Sequence, residues 1–297
     1  MTNRGAFEMK IGVIGTGVMG SGIINNLLQA NYDVFVYNRT KAHAQAVIDH
    51  GAVWQDSPRQ IASVADVVIT MVGYPKDVAS QYYGETGIFA GTHAGQIVVD
   101  MTTSTPTLAQ ELAEAGAKQG MTVLDAPVSG GDTGAKNGTL TVMVGGEKAA
   151  FDELQPIFKV IAKDTTLFGG AGRGQHAKMA NQIMVAGTML GMAETMSYAR
   201  AAELDVNQVL QTLGGGAAQN WSLDNYGPRI LADDYAAGFY VKHFIKDLRI
   251  ALDEAAKLQI DLPMTALAEQ MYTKLADENK LADAGTQAIV KLWSQFA

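Results

Sequence analysis

The chain has 297 residues, 47% hydrophobic and 18% charged, enough apolar material for one large domain or two of ordinary size with buried cores. Its net charge of −8 argues against the basic face on which nucleic-acid binding rests, and the absence of cysteine excludes disulfides, thiolate metal sites and cysteine nucleophiles. No apolar run reaches the roughly 18–20 residues of a membrane span, and "MTNRGAFEMK" at the N-terminus lacks the apolar core of a signal peptide, so a cytoplasmic protein is expected.

Residues 1–8 read as a short extension ahead of the first strand, with Met9 an alternative start. "MKIGVIG" (9–15) is a β-branched apolar run closed by glycine, a buried strand, and "MGSGIINNLLQANY" (19–32) follows with helical spacing. "DVFVYNRT" (33–40) is a second strand, and "KAHAQAVIDHGA" (41–52) a helix stopped by Gly51. "ADVVITMVG" (65–73) and "GQIVVDMT" (95–102) are strands either side of helical "PKDVASQYYG". "TPTLAQELAEAGAKQG" (105–120) is a helix with Thr105 as N-cap, Pro106 at its first position and Gly120 beyond its end. "MTVLDAPVSGG" (121–131), "TLTVMVGG" (139–146) and "TTLFGG" (165–170) are strands, the last two flanking helical "EKAAFDELQPIFKVI".

Strands alternating with helices of this length imply βαβ units and a parallel sheet covered on both faces. The alternation ends near residue 170. From 174 onward helical spacing dominates, with stops at Gly214–Gly216, Gly227–Pro228 and Pro263, and 174–204 reads as one long helix. The expected architecture is an α/β, Rossmann-type doubly wound domain (1–172) followed by an all-helical domain (173–297) that begins with the long helix.

"GTGVMG" (15–20) has G-x-G-x-x-G spacing between the first strand and the first helix. Gly15 allows the tight turn, Gly17 lets a pyrophosphate approach the backbone, and Gly20 allows close helix packing, so Gly15, Thr16, Gly17, Val18, Met19 and Gly20 form a dinucleotide-binding turn. NAD-preferring sites place an acidic residue at the end of the second strand; here stand Asn38, Arg39 and Thr40. Asn38 does not repel a 2′-phosphate, Arg39 forms charge-assisted bonds to one and Thr40 donates another, so NADP(H) is the expected cofactor and NAD(H) the alternative.

"VVDMTTSTP" (98–106) places Thr102, Thr103 and Ser104 beyond a strand end, where ligands bind in open parallel sheets. They serve either a nicotinamide ribose, a substrate or a helix cap. "DAPVSGG" (125–131) offers the Ser129 hydroxyl with open backbone N–H groups at Gly130 and Gly131, which suits a carboxylate as well as an ordinary turn. In "GRGQHAKMANQ" (172–182), Lys178, Asn181 and Gln182 share one helical face at i, i+3 and i+4. Lys178 either reaches water, pairs with a carboxylate or serves chemistry. The five histidines show no metal-ligand spacing, and no metal is expected.

Taken in order, "GTGVMG", "DMTTSTP", "DAPVSGGDTGAKNGTLTVMVGG", "GRGQHAKMANQ" and "FIKDLRIALDEA" (244–255) resemble the β-hydroxyacid dehydrogenase family, the group of 3-hydroxyisobutyrate dehydrogenase, tartronate semialdehyde reductase and 6-phosphogluconate dehydrogenase. The resemblance covers residues 9–297. It implies a general acid/base role for Lys178 and substrate contacts for Ser129, Gly130, Gly131 and Asn181. It places Thr103 near nicotinamide and substrate, and Lys246 close to the cofactor with Asp247 beside it. It also implies cofactor-loop contacts at Met71 and Val72, where "MVGYP" replaces the usual Leu-Pro. Gln182, where many relatives have Asn, is counted among the substrate-facing residues and marks where this pocket differs.

The implied enzyme moves a hydride between NADP(H) and a small anionic 3-hydroxyacid or its semialdehyde, acting on a CH–OH group. A free lysine titrates near about 10.4, so Lys178 needs burial or a nearby cation, such as Lys246, to work near neutrality. The family's helical domains imply a homodimer or homotetramer. The competing readings are an imine reductase-like NADPH enzyme and a non-catalytic NADP(H)-binding regulator.

Overall fold

The computed structural model describes residues 9–296, so the extension at residues 1–8 lies outside the described residues. In chain order the elements are β1 (Lys10–Ile14), α1 (Val18–Gln29), β2 (Asp33–Tyr37), α2 (Gln45–Asp49), β3 (Val53–Trp54), α3 (Pro58–Val64), β4 (Val67–Thr70), α4 (Pro75–Tyr82), β5 (Ile97–Asp100), α5 (Pro106–Ala117) and β6 (Thr122–Asp125). There follow β7 (Val128–Ser129), α6 (Gly131–Asn137), β8 (Leu140–Val144), α7 (Lys148–Glu153), α8 (Gln155–Ile161), β9 (Ala162–Leu167) and α9 (Arg173–Ala201). The chain ends with α10 (Val206–Gly214), α11 (Trp221–Leu231), α12 (Val241–Lys257), α13 (Pro263–Asp277) and a 3-10 turn at Thr286–Leu292.

The chain divides into two compact units, the boundary falling between Lys178 and Met179 inside α9. In the first unit six parallel strands lie in the order β3-β2-β1-β4-β5-β6. This is the doubly wound order, with its switch point between β1 and β4. Both faces of the sheet are covered, which explains why β4 and β5 are buried along their whole length. Alternate residues feed opposite cores: Ile11, Val13, Val67, Ile69, Ile97 and Val99 join one cluster, while Ile14, Val68 and Val98 join the other.

A second, three-stranded sheet joins β7, β8 and β9, and β7 runs antiparallel to β8. The continuous parallel pattern expected from the sequence therefore breaks at "DAPVSGG", where Asp125 ends one sheet and Val128–Ser129 starts another. Gly130 and Gly131 take φ of 126° and 62°, turning the chain into α6, a helix the spacing of apolar residues did not announce. β3 and α3 were likewise unannounced; Ser57 caps α3 by accepting from the Gln60 N–H. At α5 the Thr105 hydroxyl accepts from the Leu108 N–H at 3.2 Å and Pro106 opens the helix, as the sequence implied.

The second unit is helical among the described residues, around a core that includes Met189, Met196, Phe244, Leu248, Tyr272 and Ile289. Gly227–Pro228 does not stop a helix: it lies inside α11. Asn220 caps that helix by accepting from the Leu223 N–H, and a Cβ at Gly227 would meet Leu210 at 2.9 Å, so the glycine lets α10 and α11 pack closely.

Candidate active site

Of the residues expected to hold a dinucleotide, those of the first unit stand at the carboxyl ends of β1, β2, β4 and β5, while Lys246 and Asp247 lie in α12 of the second unit. The Gly15 N–H donates to the Tyr37 carbonyl at 2.9 Å, and the Thr16 N–H to Asn38 Oδ1 at 3.2 Å. Asn38 also donates from Nδ2 to the Thr40 carbonyl at 2.9 Å, so its amide serves the turn itself. Gly15 has φ 105°, and a Cβ there would stand 2.1 Å from the Met71 carbonyl oxygen, which explains both the glycine and the place of Met71. The Val72 N–H donates to Thr102 Oγ1 at 3.0 Å, tying the β4 loop to the β5 loop. Arg39 stands with its side chain 90% exposed, its guanidinium 4.0 Å from Asp77.

The turn fits a dinucleotide. A Cβ at Gly17 would meet nothing within 4 Å, α1 has no side-chain cap and no acidic residue in its first turn, and the buried Thr16 hydroxyl has no hydrogen-bond partner among the described residues. Val18 is exposed and Met19 half-buried at the start of that helix. Among the described residues no group of His, Asp and Glu could hold a metal ion.

Two buried carboxylates organise the next layer. Asp100, ending β5, accepts from Thr70 Oγ1 at 2.7 Å and from the Thr102 N–H at 3.1 Å. Burial pushes its pKa up to about 6 against these bonds. Asp125, ending β6, accepts from the Gly172 N–H at 2.7 Å and the Gln175 N–H at 2.8 Å, so it satisfies the amides that open α9. Burial raises its pKa too, opposed by these same amides. Gln175, fully buried, accepts from the Ser104 N–H at 2.9 Å and donates to the Thr102 carbonyl at 2.8 Å. The loop carrying Thr102, Thr103 and Ser104 is thereby clamped to the start of α9.

Lys178 lies one turn into that helix, 6% exposed, and its Nζ donates to the Val128 carbonyl at 2.8 Å. The lysine does not reach water: it is buried against the turn that carries Ser129, Gly130 and Gly131. Asp100, Asp125 and Gln175 were missed as site residues. An acidic residue closing each of two neighbouring strands, "VVD" and "VLD", was the available signal.

In the second unit, Asn181 Nδ2 donates to Gln182 Oε1 at 2.8 Å, and Gln182 Nε2 donates to Asp247 Oδ2 at 2.8 Å. Lys246 Nζ stands 3.0 Å from Asp247 Oδ1 as a charge contact rather than a directed hydrogen bond. Gln182, expected among the substrate-facing residues, is 2% exposed, and its amide bridges Asn181 to Asp247. Burial, then Lys246, holds His243, one turn before Asp247, below its ordinary pKa. In the α11 region, Arg229 donates to Asp234 and to the Ala236 carbonyl and so shapes the following loop.

A doubly wound parallel sheet with a glycine turn at its switch point, joined to a helical unit through a helix that buries a lysine, defines a nicotinamide-dependent oxidoreductase. The chain belongs to the β-hydroxyacid dehydrogenase family. Residues 10–170 match the NAD-binding domain of 6-phosphogluconate dehydrogenase, and residues 172–293 match the NAD-binding domain of NADP-dependent 3-hydroxyisobutyrate dehydrogenase. The chain is 47% identical over 282 residues to the probable mitochondrial 3-hydroxyisobutyrate dehydrogenase-like 1 of Arabidopsis thaliana, covering 95% of this chain and 84% of that protein. It is 35% identical over 279 residues to 2-hydroxy-3-oxopropionate reductase of Escherichia coli K12, covering 94% of each. The solved structure of Mycobacterium tuberculosis 3-hydroxyisobutyrate dehydrogenase with L-serine superposes with a TM-score of 0.86 at 28% identity, covering 96% of this chain and 98% of that one. The protein is thus an NAD(P)-dependent oxidoreductase acting on CH–OH groups of hydroxyacids.

Proposed function

We propose that the protein interconverts a small 3-hydroxyacid and its semialdehyde with NADP(H), with Lys178 as the proton carrier. The observation that carries this reading is the burial of Lys178 at the start of α9, with Nζ on the carbonyl that precedes Ser129. A lysine costs several kcal/mol to bury, and its use as an acid and base gives that cost a purpose. The names of the relatives, a 3-hydroxyisobutyrate dehydrogenase-like protein and a 2-hydroxy-3-oxopropionate reductase, support the substrate class.

When bound, the nicotinamide accepts or supplies the hydride. Lys178 takes the hydroxyl proton at Nζ in oxidation and returns it to the carbonyl oxygen in reduction. Ser129 and the amides of Gly130 and Gly131 hold the carboxylate, Thr103 lines the reacting end, and Asn181 orients the substrate from the same face of α9 as Lys178. Lys246 stands against the cofactor. At the end of β2 an uncharged Asn38, an exposed Arg39 and Thr40 support a 2′-phosphate, hence NADP over NAD.

We infer also that the enzyme works in the cytoplasm as a homodimer or homotetramer. Met184, Tyr198 and Trp221, exposed at 68%, 74% and 53%, support association through the helical unit. The direct test is a coupled screen of short semialdehydes bearing carboxylate, sulfonate or phosphate groups, run in parallel with NADPH and NADH. Turnover of a carboxylated semialdehyde with NADPH is expected. Reduction of cyclic imines with none of the semialdehydes would contradict the proposal.

A further inference from the structure

The chain Asn181–Gln182–Asp247 has a direction. A carboxylate ion-paired with a lysine offers only acceptors, so Gln182 must turn Nε2 towards Asp247 Oδ2. Its Oε1 then points the other way, and Asn181 must meet it with an N–H. The chain lies beside an apolar seam in which Met179 of α9 is buried with Ile250 and Ala251 of α12. Poor solvation there strengthens each bond and raises the cost of a mismatched one. Without Asp247, either amide is free to rotate and Asn181 presents either end.

We infer that Asp247, acting through Gln182, sets the hydrogen-bonding sense of Asn181, so that Asn181 turns its carboxamide oxygen and its second N–H to the ligand. Gln182 and Asp247 are positioning residues. The pairing of one acceptor with one donor suits a ligand hydroxyl, which both gives and takes a hydrogen bond. It suits a carboxylate less, since that group only accepts. The carboxylate is thereby left to Ser129 and the glycine amides. This inference rests on the reading of Asn181 as a substrate-orienting residue.

The test is a rescue series read by Tm and by KM for the hydroxyacid. Gln182→Glu sets a second carboxylate against Asp247; Tm should fall and KM rise about tenfold, with kcat moving less. Adding Asp247→Asn gives the new carboxylate at position 182 a donor and keeps Asn181 donating inward, so Tm should recover and KM return to within about threefold of wild type. Asn181→Asp with Asp247→Asn reverses the chain: Gln182 then donates to the carboxylate at position 181 and accepts from the amide at position 247. That variant should recover Tm relative to Asn181→Asp alone but not KM. Loss of the Lys246 contact is common to both Asp247→Asn variants and cancels when each is read in a full cycle that includes Asp247→Asn alone. If Gln182→Glu alone does not fold, the comparison is the double variant against Asp247→Asn alone, and a Tm at least as high supports the inference.

Additive losses in Tm would overturn it, as would wild-type KM in the reversed variant. Tm rescue with a KM unmoved throughout would uphold the sense of the chain and sink the substrate role of Asn181. The role of Lys178 is read separately, by turnover in Lys178→Ala.

Discussion

Asp100 is an acid held in the wrong medium. With its pKa pushed up to about 6 by burial against an ordinary 3.8, it stays protonated in the folded chain at pH values where the unfolded chain has released the proton. The folded state therefore binds more protons between these values, and stability falls as pH rises through that window. Asp100→Asn keeps an acceptor for the Thr70 hydroxyl and the Thr102 N–H and carries no charge. Relative to wild type it should gain about 2 kcal/mol between about pH 4.5 and 7.5, measured by denaturant unfolding at both values. A constant difference would show that Asp100 titrates normally. Arg39 acts at the same scale: Arg39→Ala should raise KM for NADPH about tenfold or more and leave KM for NADH nearly unchanged, checked by steady-state kinetics with each cofactor. The glycine turn was legible because its backbone conformation goes with residue type and spacing; the roles of Arg39 and Lys178 are proposals, the first argued from residue type and the second from the family resemblance. The bridging role of Gln182 was not legible, because its partner stands 65 residues away on another helix.

Elements with a strong period were legible: β1, β4, β5, α5 and the long helix lie where apolar spacing and caps put them. Those set by tertiary context were not. β3 has two residues, too few for any period to register, and β7 leaves the main sheet after Asp125 to pair with β8, a non-local partner no period announces. Pro228 sits inside α11, where a helix break was expected, and the Ala232 N–H still donates to its carbonyl at 3.1 Å. At the start of α9 the decisive group is Asp125, which answers two helix amides from the end of β6. Asp125→Ala leaves both buried amides unpaired and should cost about 3 kcal/mol, with a larger fall in kcat than in cofactor affinity, since Lys178 rides on that helix. Asp125→Asn keeps one acceptor and should lose less. Thermal unfolding, NADPH titration and steady-state turnover check both.

Across the whole molecule, the family is visible as an ordered set of short motifs spread over both units, and the family matches at residues 10–170 and 172–293 cover nearly all of the chain. No helix among the described residues is long and apolar enough to cross a membrane. The first unit holds the glycine turn, the Ser-Gly-Gly turn and Lys178, and the second holds Asn181, Gln182 and Asp247 in one hydrogen-bonded chain. A single lysine is assigned the proton, so its removal is the sharpest probe. Lys178→Ala should bind NADPH with a Kd within about threefold of wild type by fluorescence titration, while kcat with the best semialdehyde falls about 100-fold or more. A variant that turns over at the wild-type rate, with only KM changed, would contradict the assignment of Lys178 as the acid and base.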